Sequence, residues 1–416
     1  MPDVVIIDGV RSPIGRFGGG LSKVRPDDLL AEVYKALATR TGIDPALIDE
    51  VYAGCGNQAG EDNRDVARMA SLLAGFPKEV PGVTINRNCA SALDAVNSAA
   101  RCIATGEGDI YFGSGVECMS RAPWVMGKPD RVPTNQAPKM WDTTVGWRFN
   151  NPKMDKMYPI ISLGETAENI AREMQISRAE QDAFAIESQN RAVAAMNAGA
   201  FAEEIAPIVV PQRKGDPIII NTDEHVRARA ENGGYVVDTD ITDLGKLRPA
   251  FTKDGTVTAG NSSGINDGAA ALLMMSSDSA EALGMKPKLK WLGAASAGVD
   301  PGVMGFGPVP ATEKLLQRFN LSIDDIDLIE LNEAFAAQAI GCMRRLGIDH
   351  DKMNVNGGAI ALGHPTGASG ARIVVTMMHE MSRRVKAGKP VKYGLATLCV
   401  GVGMGVASLF EWIGDD

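Results

Sequence analysis

The sequence is poor in aromatic residues, poor in histidine and without a paired-cysteine motif. Aromatic residues make up 5% of its 416 residues, and there are only 4 histidines. Its 6 cysteines are scattered, with no Cys-x-x-Cys pair, which argues against a zinc cluster or a disulfide framework. A serine-centred nucleophile elbow, a Walker loop and a His-Glu-x-x-His motif are also missing, and we expect no metal site. Each cysteine is therefore either a small buried hydrophobic residue or a reactive thiol.

Long apolar runs and an excess of basic residues are missing as well. Every long apolar stretch is soon interrupted by charge, glycine or proline, so no membrane span is predicted. The formal net charge of −9 argues against a nucleic-acid binder, which needs a basic face for phosphate contacts. The first residues lack the features of a secretory signal, and the last are not a peroxisomal address. We expect a cytoplasmic protein.

The chain alternates short apolar runs with helical patterns, which predicts an α/β protein. Residues 43–51 are echoed by residues 321–329, and each set follows a helical pattern and leads into a strand. A second echo links residues 89–118 with residues 364–399, where a helix rich in small residues, a glycine turn and a strand follow one another. Two echoes in the same order favour the duplication of one βα domain over generic α/β likeness.

A segment rich in proline, glycine and charge separates the two repeats. It contains one clear helix signal, in which Ser177 is the N-cap, Glu180 completes a capping box and an amphipathic run continues to Met196. We predict four segments: the first part of an N-terminal half at 1–118, an inserted loop domain at 119–246, the completion of the N-terminal half at 247–284, and a C-terminal half at 285–416.

Two residues have surroundings that favour catalysis. Cys89 follows a predicted strand and opens a predicted helix, where the amide dipoles stabilise a thiolate. His364 lies in a loop dense in glycine, which can aim an imidazole at a cleft as a base. A buried cysteine at a tight turn and a hydrogen-bonded loop histidine are the structural alternatives. The other histidines, His225, His350 and His379, lack such surroundings and are expected at the surface.

Two more polar residues stand at the ends of predicted strands. Cys399 precedes a Gly-x-Gly-x-Gly run at 401–405, which suits a tight loop offering N–H groups to an oxyanion better than a dinucleotide site. The alternative is a structural cysteine in a glycine turn. Asn332 ends a strand and starts a helix, so its amide either fixes a water or an oxyanion, or only caps the helix.

Together these segments resemble the thiolase family, which cleaves or forms 3-ketoacyl-CoA. The similarity extends over essentially the whole chain and is strongest at four places: 86–92, 332–335, 356–370 and 398–405. The resemblance implies the thiolase fold, an α/β fold with duplicated βαβαβαββ halves in a five-layered α-β-α-β-α arrangement and an inserted loop domain. It also implies ping-pong acyl transfer, with coenzyme A (CoA) as a co-substrate and no permanently bound cofactor.

The resemblance implies a role for each candidate. Cys89 would carry the acyl group as a thioester, and His364 would activate Cys89 and help to hold the thioester oxygen of the second substrate. Cys399 would move the proton at the α-carbon. Asn332 would hold a water that completes this oxyanion site, and the backbone N–H groups of Cys89 and Gly401 would form the other one.

Contacts with acyl-CoA and CoA are implied at three further positions. Ser263 matches a serine that contacts the pantetheine, Arg227 matches an arginine near the adenosine end, and Phe335 lines the acyl pocket. The family forms dimers and tetramers, so the resemblance also implies a homodimer or homotetramer.

The sequence departs from common family patterns at three places, one of which is Ala90-Ser91-Ala92 after Cys89, where many members have Gly-Ser-Gly or Ala-Ser-Gly. Val402 stands where many members have glycine, and Ser162-Leu163 replaces the His-Met of the short-chain biosynthetic branch. In contrast, residues 142–149 resemble the degradative branch, including thiolases that act on 3-oxoadipyl-CoA. Within and after this stretch, the candidates to meet a terminal carboxylate are Arg148, Lys153 and Lys156, with solvation as the alternative role of the lysines.

We therefore expect a degradative thiolase that takes part in fatty-acid or aromatic-compound degradation. A biosynthetic acetoacetyl-CoA thiolase is the alternative. A decarboxylating condensing enzyme of the same fold lacks a second catalytic cysteine, so Cys399 argues against it. The full set of Cys89, Asn332, His364 and Cys399 argues against a non-catalytic acyl-CoA or lipid-binding protein.

Overall fold

The structure is a computed structural model that describes residues 2–129 and 137–414; residues 130–136 of the predicted inserted domain and the chain ends at 1 and 415–416 lie outside this range. The strands are β1 (Val4–Arg11), β2 (Gly15–Arg16), β3 (Glu50–Gly54), β4 (Gly82–Ile85), β5 (Ile110–Cys118), β6 (Trp124–Met126), β7 (Met140–Asp142), β8 (Ile208–Val210), β9 (Ile218–Ile220), β10 (Ala228–Glu231), β11 (Gly234–Val237), β12 (Asn266–Ser276), β13 (Leu289–Gly298), β14 (Leu328–Leu331), β15 (Tyr393–Val400) and β16 (Met404–Trp412).

The α-helices are α1 (Pro26–Thr41), α2 (Val66–Leu73), α3 (Ser91–Thr105), α4 (Pro152–Met157), α5 (Leu163–Glu173), α6 (Arg178–Asn197), α7 (Ile241–Gly245), α8 (Ser277–Ala282), α9 (Pro308–Phe319), α10 (Ala336–Leu346), α11 (Ala359–Leu362) and α12 (Ser369–Lys386). Within the described ranges, each of these helices is too short or too polar to span a bilayer. Helix α6 begins at the predicted capping box of Ser177 and Glu180.

One mixed sheet runs through the molecule in the order β14-β15-β16-β13-β1-β12-β5-β3-β4. The order outward from its centre is β1, β12, β5, β3, β4 on one side and β13, β16, β15, β14 on the other, with the same parallel and antiparallel pairings. A bridge between Ile329 and Met353 stands where the first side has the β3–β4 pair. The first strands of the two sides, β1 and β13, pair with each other at the centre. The predicted duplication is confirmed by this matched order.

The strands on the two sides of the β1–β13 pair form two half sheets, and the helices add three layers to them. Helices α3 and α12 lie between the half sheets, where each contacts strands of both halves and joins one apolar cluster. Helices α1 and α2 cover the outer face of the first half sheet, and α9 and α10 cover that of the second. The five-layered thiolase fold implied by the resemblance is therefore present.

The segment between β5 and β12 forms a separate cover of hairpins and helices, β6 to β11 and α4 to α7. Strand β12 then returns to the core between β1 and β5. A buried ion-pair cluster fixes this cover to β1, because the Arg11 guanidinium contacts Glu204 at 2.7 Å and Asp223 at 2.7 Å. Removing one partner of such a cluster would leave a buried charge unpaired, which is strongly destabilising.

The central helices approach their neighbours at backbone distance. A Cβ at Gly54, the last residue of β3, would overlap the backbone nitrogen of Ala92 in the first turn of α3. A Cβ at Gly370, in the first turn of α12, would overlap the backbone nitrogen of Leu93. Glycine at these two positions therefore sets where the starts of both central helices lie.

We expect Gly54→Ala to lower the free energy of unfolding by about 1–3 kcal/mol, because the added methyl group forces the start of α3 away from β3. Gly245→Ala is the matched control, since a Cβ at Gly245 has no neighbour within 4 Å. Urea unfolding of both variants measures the difference. Equal midpoints for the two variants would contradict the close packing of β3 on α3.

Candidate active site

Cys89 lies in a tight turn between β4 and α3, and its side chain is buried. Asn88 adopts a left-handed conformation with φ of 47°, which an asparagine tolerates better than most residues. The hydroxyl of Ser91 donates to the carbonyl oxygen of Asn88 at 2.6 Å and accepts from the backbone N–H of Arg87 at 2.9 Å. The serine thus closes the turn and fixes the position of the thiol.

The loop between β15 and β16 lies against this turn. The side-chain amide of Asn88 donates to the carbonyl oxygen of Gly401 at 3.2 Å, and the backbone N–H of Gly401 is directed at the Cys89 thiol. Val402, the next residue, has φ of 70° and is 39% exposed. Both neighbours of Val402 are held by hydrogen bonds. The carbonyl oxygen of Gly401 accepts from Asn88, and that of Gly403 accepts from the N–H of Val299 at 2.8 Å. A β-branched residue in this region of φ is a strained exception.

Burial decides the protonation of Cys89. It raises the pKa of the thiol to about 11, although the N–H groups of Gly401 and of Cys89 itself act in the opposite direction. The sequence led us to expect a thiolate stabilised by the helix start. That expectation is wrong for the free protein, because desolvation of the thiolate outweighs the amide dipoles.

His364 is buried in the loop between α11 and α12 and is the neutral Nδ1–H tautomer. Its Nδ1 lies 2.6 Å from the hydroxyl of Ser369, and that hydroxyl donates its only proton to the carbonyl oxygen of Pro365 at 2.9 Å. Nδ1 therefore carries a proton and donates it, which leaves Nε2 unprotonated with its lone pair facing Asn332. Burial lowers the pKa of His364 to about 3, and the positive charge of Arg372 adds to this effect. The imidazole can accept one proton at Nε2.

Asn332 follows β14 and lies beside that lone pair. Its Nδ2 is 3.4 Å from Nε2 of His364, and its backbone N–H donates to the carbonyl oxygen of Thr397 at 3.0 Å. Its Oδ1 is buried and has no hydrogen-bond partner among the residues that the structure describes. A buried amide oxygen of this kind needs a donor, and a water or a ligand group can supply one.

Cys399 is completely buried near the end of β15, in a small apolar cluster that includes Phe335 and Met304. Burial raises its pKa well above the usual value, and the nearby Cys89 thiol raises it further when ionised. The Cys399 thiol is therefore protonated in the free protein, because burial disfavours its thiolate.

Glu117, the penultimate residue of β5, is a site residue that we did not predict. Its Oε2 accepts from the N–H of Gly56 at 2.8 Å, the hydroxyl of Thr366 at 2.9 Å and the N–H of Gly367 at 2.9 Å. Burial raises its pKa to about 7, although the N–H of Gly56 and the hydroxyl of Thr366 act in the opposite direction. The carboxyl group thus ties the loop after β3 to the loop that carries His364. A lone acidic residue in an otherwise small and apolar strand was the available sequence signal.

The three candidates for CoA contacts are linked through the segment 259–263. The side chain of Arg227 donates to the carbonyl oxygen of Ala259 at 3.2 Å, in the segment that leads to Ser263. The residue before Ser263 forms a bridge with Phe335. The ring of Phe335 packs edge-on against Phe251, with centroids 6.0 Å apart. The fold brings Arg227, Ser263 and Phe335 together, while their contacts with CoA stay predictions.

The expectation that the remaining histidines lie at the surface is wrong for His379. This residue is 1% exposed, and its Nε2 lies 3.0 Å from the carbonyl oxygen of Gly9. His225 and His350 are half-buried, and the ring of His350 stacks on Phe184.

Two family models match almost the whole chain. A model described as the thiolase N-terminal domain matches residues 4–278, and one described as the thiolase C-terminal domain matches residues 285–412. A beta-ketoadipyl-CoA thiolase of Pseudomonas aeruginosa is 54% identical over 412 residues, which cover 98% of this chain and 99% of that protein. The 3-oxoadipyl-CoA/3-oxo-5,6-dehydrosuberyl-CoA thiolase of Escherichia coli K12 is 50% identical, with coverage of 99% and 100%.

Solved structures agree with these relatives. The crystal structure of the Bacillus anthracis acetyl-CoA acetyltransferase matches with a TM-score of 0.91 and 40% identity, covering 99% of both chains. The similarity therefore includes both halves of the fold and the segment inserted in the first half.

We expect the alkylation of Cys89 by iodoacetamide to accelerate with pH beyond about pH 9, because burial raises the pKa of its thiol to about 11. The alkylation of both the wild-type protein and Cys89→Ala is monitored by mass spectrometry. The rate for Cys89 is the wild-type rate minus that of the variant. A plateau near about pH 7 would contradict this expectation, since it would show a stable thiolate–imidazolium pair in the free protein.

We expect Val402→Gly to be more stable than Val402→Ala by about 1 kcal/mol, because glycine adopts a positive φ without strain. Both substitutions remove the contacts of the valine side chain, so the comparison isolates the backbone strain. Urea unfolding measures the two free energies. A Gly variant that is less stable than the Ala variant would show that the loop relaxes without glycine.

Proposed function

The chain belongs to the thiolase family of acyltransferases, which use CoA as a substrate, and we propose that it cleaves 3-ketoacyl-CoA substrates ending in a carboxylate, with 3-oxoadipyl-CoA as the main one. The observation that carries this proposal is the full-length identity of 50–54% with two thiolases named for this substrate. Cleavage of 3-oxoadipyl-CoA between C2 and C3 by CoA yields acetyl-CoA and succinyl-CoA.

The first half-reaction begins at Cys89. As the thiol attacks the C3 carbonyl, its proton passes to the free Nε2 of His364, which the Ser369 contact keeps available. The negative charge that develops on the C3 oxygen is held by the N–H groups of Cys89 and Gly401. When the C2–C3 bond breaks, the succinyl group stays on Cys89 as a thioester, and acetyl-CoA leaves as its enolate.

Cys399 then protonates C2 of this enolate and becomes a thiolate. The enolate oxygen is held by the Nε2–H of protonated His364 and by a water on the unpartnered Oδ1 of Asn332. In the second half-reaction, the Cys399 thiolate takes the proton of the incoming CoA thiol. The CoA thiolate attacks the thioester, and the released Cys89 sulfur recovers its proton from His364, so all groups return to their starting state.

We assign the CoA moiety to the neighbourhood of Arg227, Ser263 and Phe335. A guanidinium suits the phosphates near the adenosine, and a serine hydroxyl suits a pantetheine amide. We infer that CoA acts as a co-substrate and that no cofactor is bound permanently. A homodimer or homotetramer and a location in the cytoplasm are further parts of the proposal, which sedimentation and cell fractionation would test.

A short-chain acetoacetyl-CoA thiolase is the second candidate. The 40% identity with an acetyl-CoA acetyltransferase over 99% of the chain favours it. Ser162 and Leu163 argue against it, because they replace the His-Met pair that the biosynthetic branch has at this place. A Cβ at Gly401 would lie 3.7 Å from Leu163, so this replacement borders the site itself.

We expect the kcat/KM for thiolysis to be highest with 3-oxoadipyl-CoA, lower with 3-oxohexanoyl-CoA and lowest with acetoacetyl-CoA. Loss of the 3-ketoacyl-CoA absorbance at fixed CoA measures all three. Cys89→Ala should lower kcat by at least about 10⁴-fold, because the covalent route is lost. Full activity of Cys89→Ala would refute the acyl-enzyme mechanism, and a preference for acetoacetyl-CoA would establish the short-chain alternative.

A further inference from the structure

Arg148 is a half-buried cation whose charge no carboxylate balances within residues 2–129 and 137–414. Its Nη2 donates to Oδ1 of Asn57 at 2.7 Å, which is a neutral partner. A guanidinium has five N–H donors in a planar fork, so this single contact leaves most of them for another acceptor. A half-buried guanidinium without a carboxylate partner among the described residues favours an anionic ligand.

Asn57 fixes one side of the guanidinium close to the Cys89 turn. Its Nδ2 donates to the carbonyl oxygen and the hydroxyl of Thr143 at 2.9 and 3.1 Å, which directs its Oδ1 at Arg148. Asn57 follows Gly56, where a Cβ would lie 3.6 Å from the carbonyl oxygen of Asn88. The residue that precedes the partner of Arg148 therefore lies next to Asn88, the residue before Cys89.

Trp147 fixes the other side of the same loop. Its indole N–H donates to the carbonyl oxygen of Ile161 at 2.8 Å, two residues before Leu163. Leu163 in turn borders Gly401, whose N–H is directed at the Cys89 thiol. Arg148 thus lies in a loop held between two segments that both contact the surroundings of the thiol.

We propose that Arg148 binds the terminal carboxylate of the acyl group and makes this enzyme selective for dicarboxylic 3-ketoacyl-CoA substrates. The inference rests on the thiolase function proposed above. In the acyl-enzyme, only two methylene groups separate the carboxylate of a succinyl group from the thioester carbonyl. Its partner must therefore lie near the Cys89 turn, as Arg148 does, and two parallel N–H groups of the fork match the two carboxylate oxygens.

The two lysines that the sequence also offered for this role are placed differently. Lys153 and Lys156 lie on α4, and both side chains are exposed to solvent. An exposed lysine is hydrated and holds a carboxylate weakly, whereas a half-buried guanidinium with one side already fixed loses less freedom on binding. Lys153 is therefore a matched control, because it is a cation of the same inserted segment outside the proposed contact.

The experiment compares two substrates of equal length, 3-oxoadipyl-CoA and 3-oxohexanoyl-CoA, which differ in the terminal carboxylate. Arg148→Gln keeps a donor for Asn57 and removes the charge. It should lower kcat/KM for 3-oxoadipyl-CoA by about 10-fold to 100-fold, mainly through KM, and change that for 3-oxohexanoyl-CoA by less than about 3-fold. Lys153→Gln should leave both values near those of the wild type, and Arg148→Lys should retain part of the preference.

The outcomes separate this inference from the function on which it rests. A wild-type enzyme without thiolysis of either substrate would refute the proposed function. If the wild type prefers 3-oxoadipyl-CoA and Arg148→Gln keeps that preference, the inference about Arg148 is wrong and the function stands. An equal loss of kcat/KM with both substrates would refute the inference and show that Arg148 only supports the loop. A thermal melt of Arg148→Lys then shows whether the fold is weakened when the positive charge is kept.

Discussion

The packing of the two central helices between the half sheets is the constraint on which the site depends. Cys89 precedes α3, and the loop that carries His364 precedes α12, so the positions of the helices determine where these side chains lie. Gly54 and Gly370 allow the helix starts to approach β3 and each other at backbone distance. Glu117 then joins the loop after β3 to the loop that carries His364 through three short hydrogen bonds. A carboxylate with several donors, away from water, holds its partners more firmly than the same contacts at the surface.

The duplication explains why one cleft receives residues from both halves. Strands β3 and β5 of the first half are equivalent to β14 and β15 of the second, and both pairs are parallel. Side chains after the carboxyl ends of such strands meet at one edge, where ligands bind in open α/β sheets. In the second half these positions hold Asn332 and Cys399, which face the proposed chemistry. In the first half they hold the Asn57 loop and Glu117, which support the loops around it.

The sequence was sufficient to predict what depends on local pattern. Glycine density made the His364 loop a candidate, the strand-to-helix position made Cys89 one, and the two echoes predicted the duplicated fold. Properties that depend on the assembled structure were not accessible. The pKa of Cys89 is governed by burial, the tautomer of His364 by a serine five residues away, and the burial of His379 by strand β1 at the other end of the chain.

Burial also determines when charge appears in the site. The pKa of Cys89 is raised and that of His364 is lowered, so the thiol and the imidazole are both neutral in the free protein. Separating charge between them is costly until negative charge develops on a substrate oxygen near the N–H groups of Gly401 and Cys89. A neutral thiol is also less easily oxidised than a thiolate. In the proposed mechanism, burial keeps the Cys89 thiol neutral until a substrate places an oxygen near these N–H groups, one of which belongs to Gly401, the residue before the strained Val402.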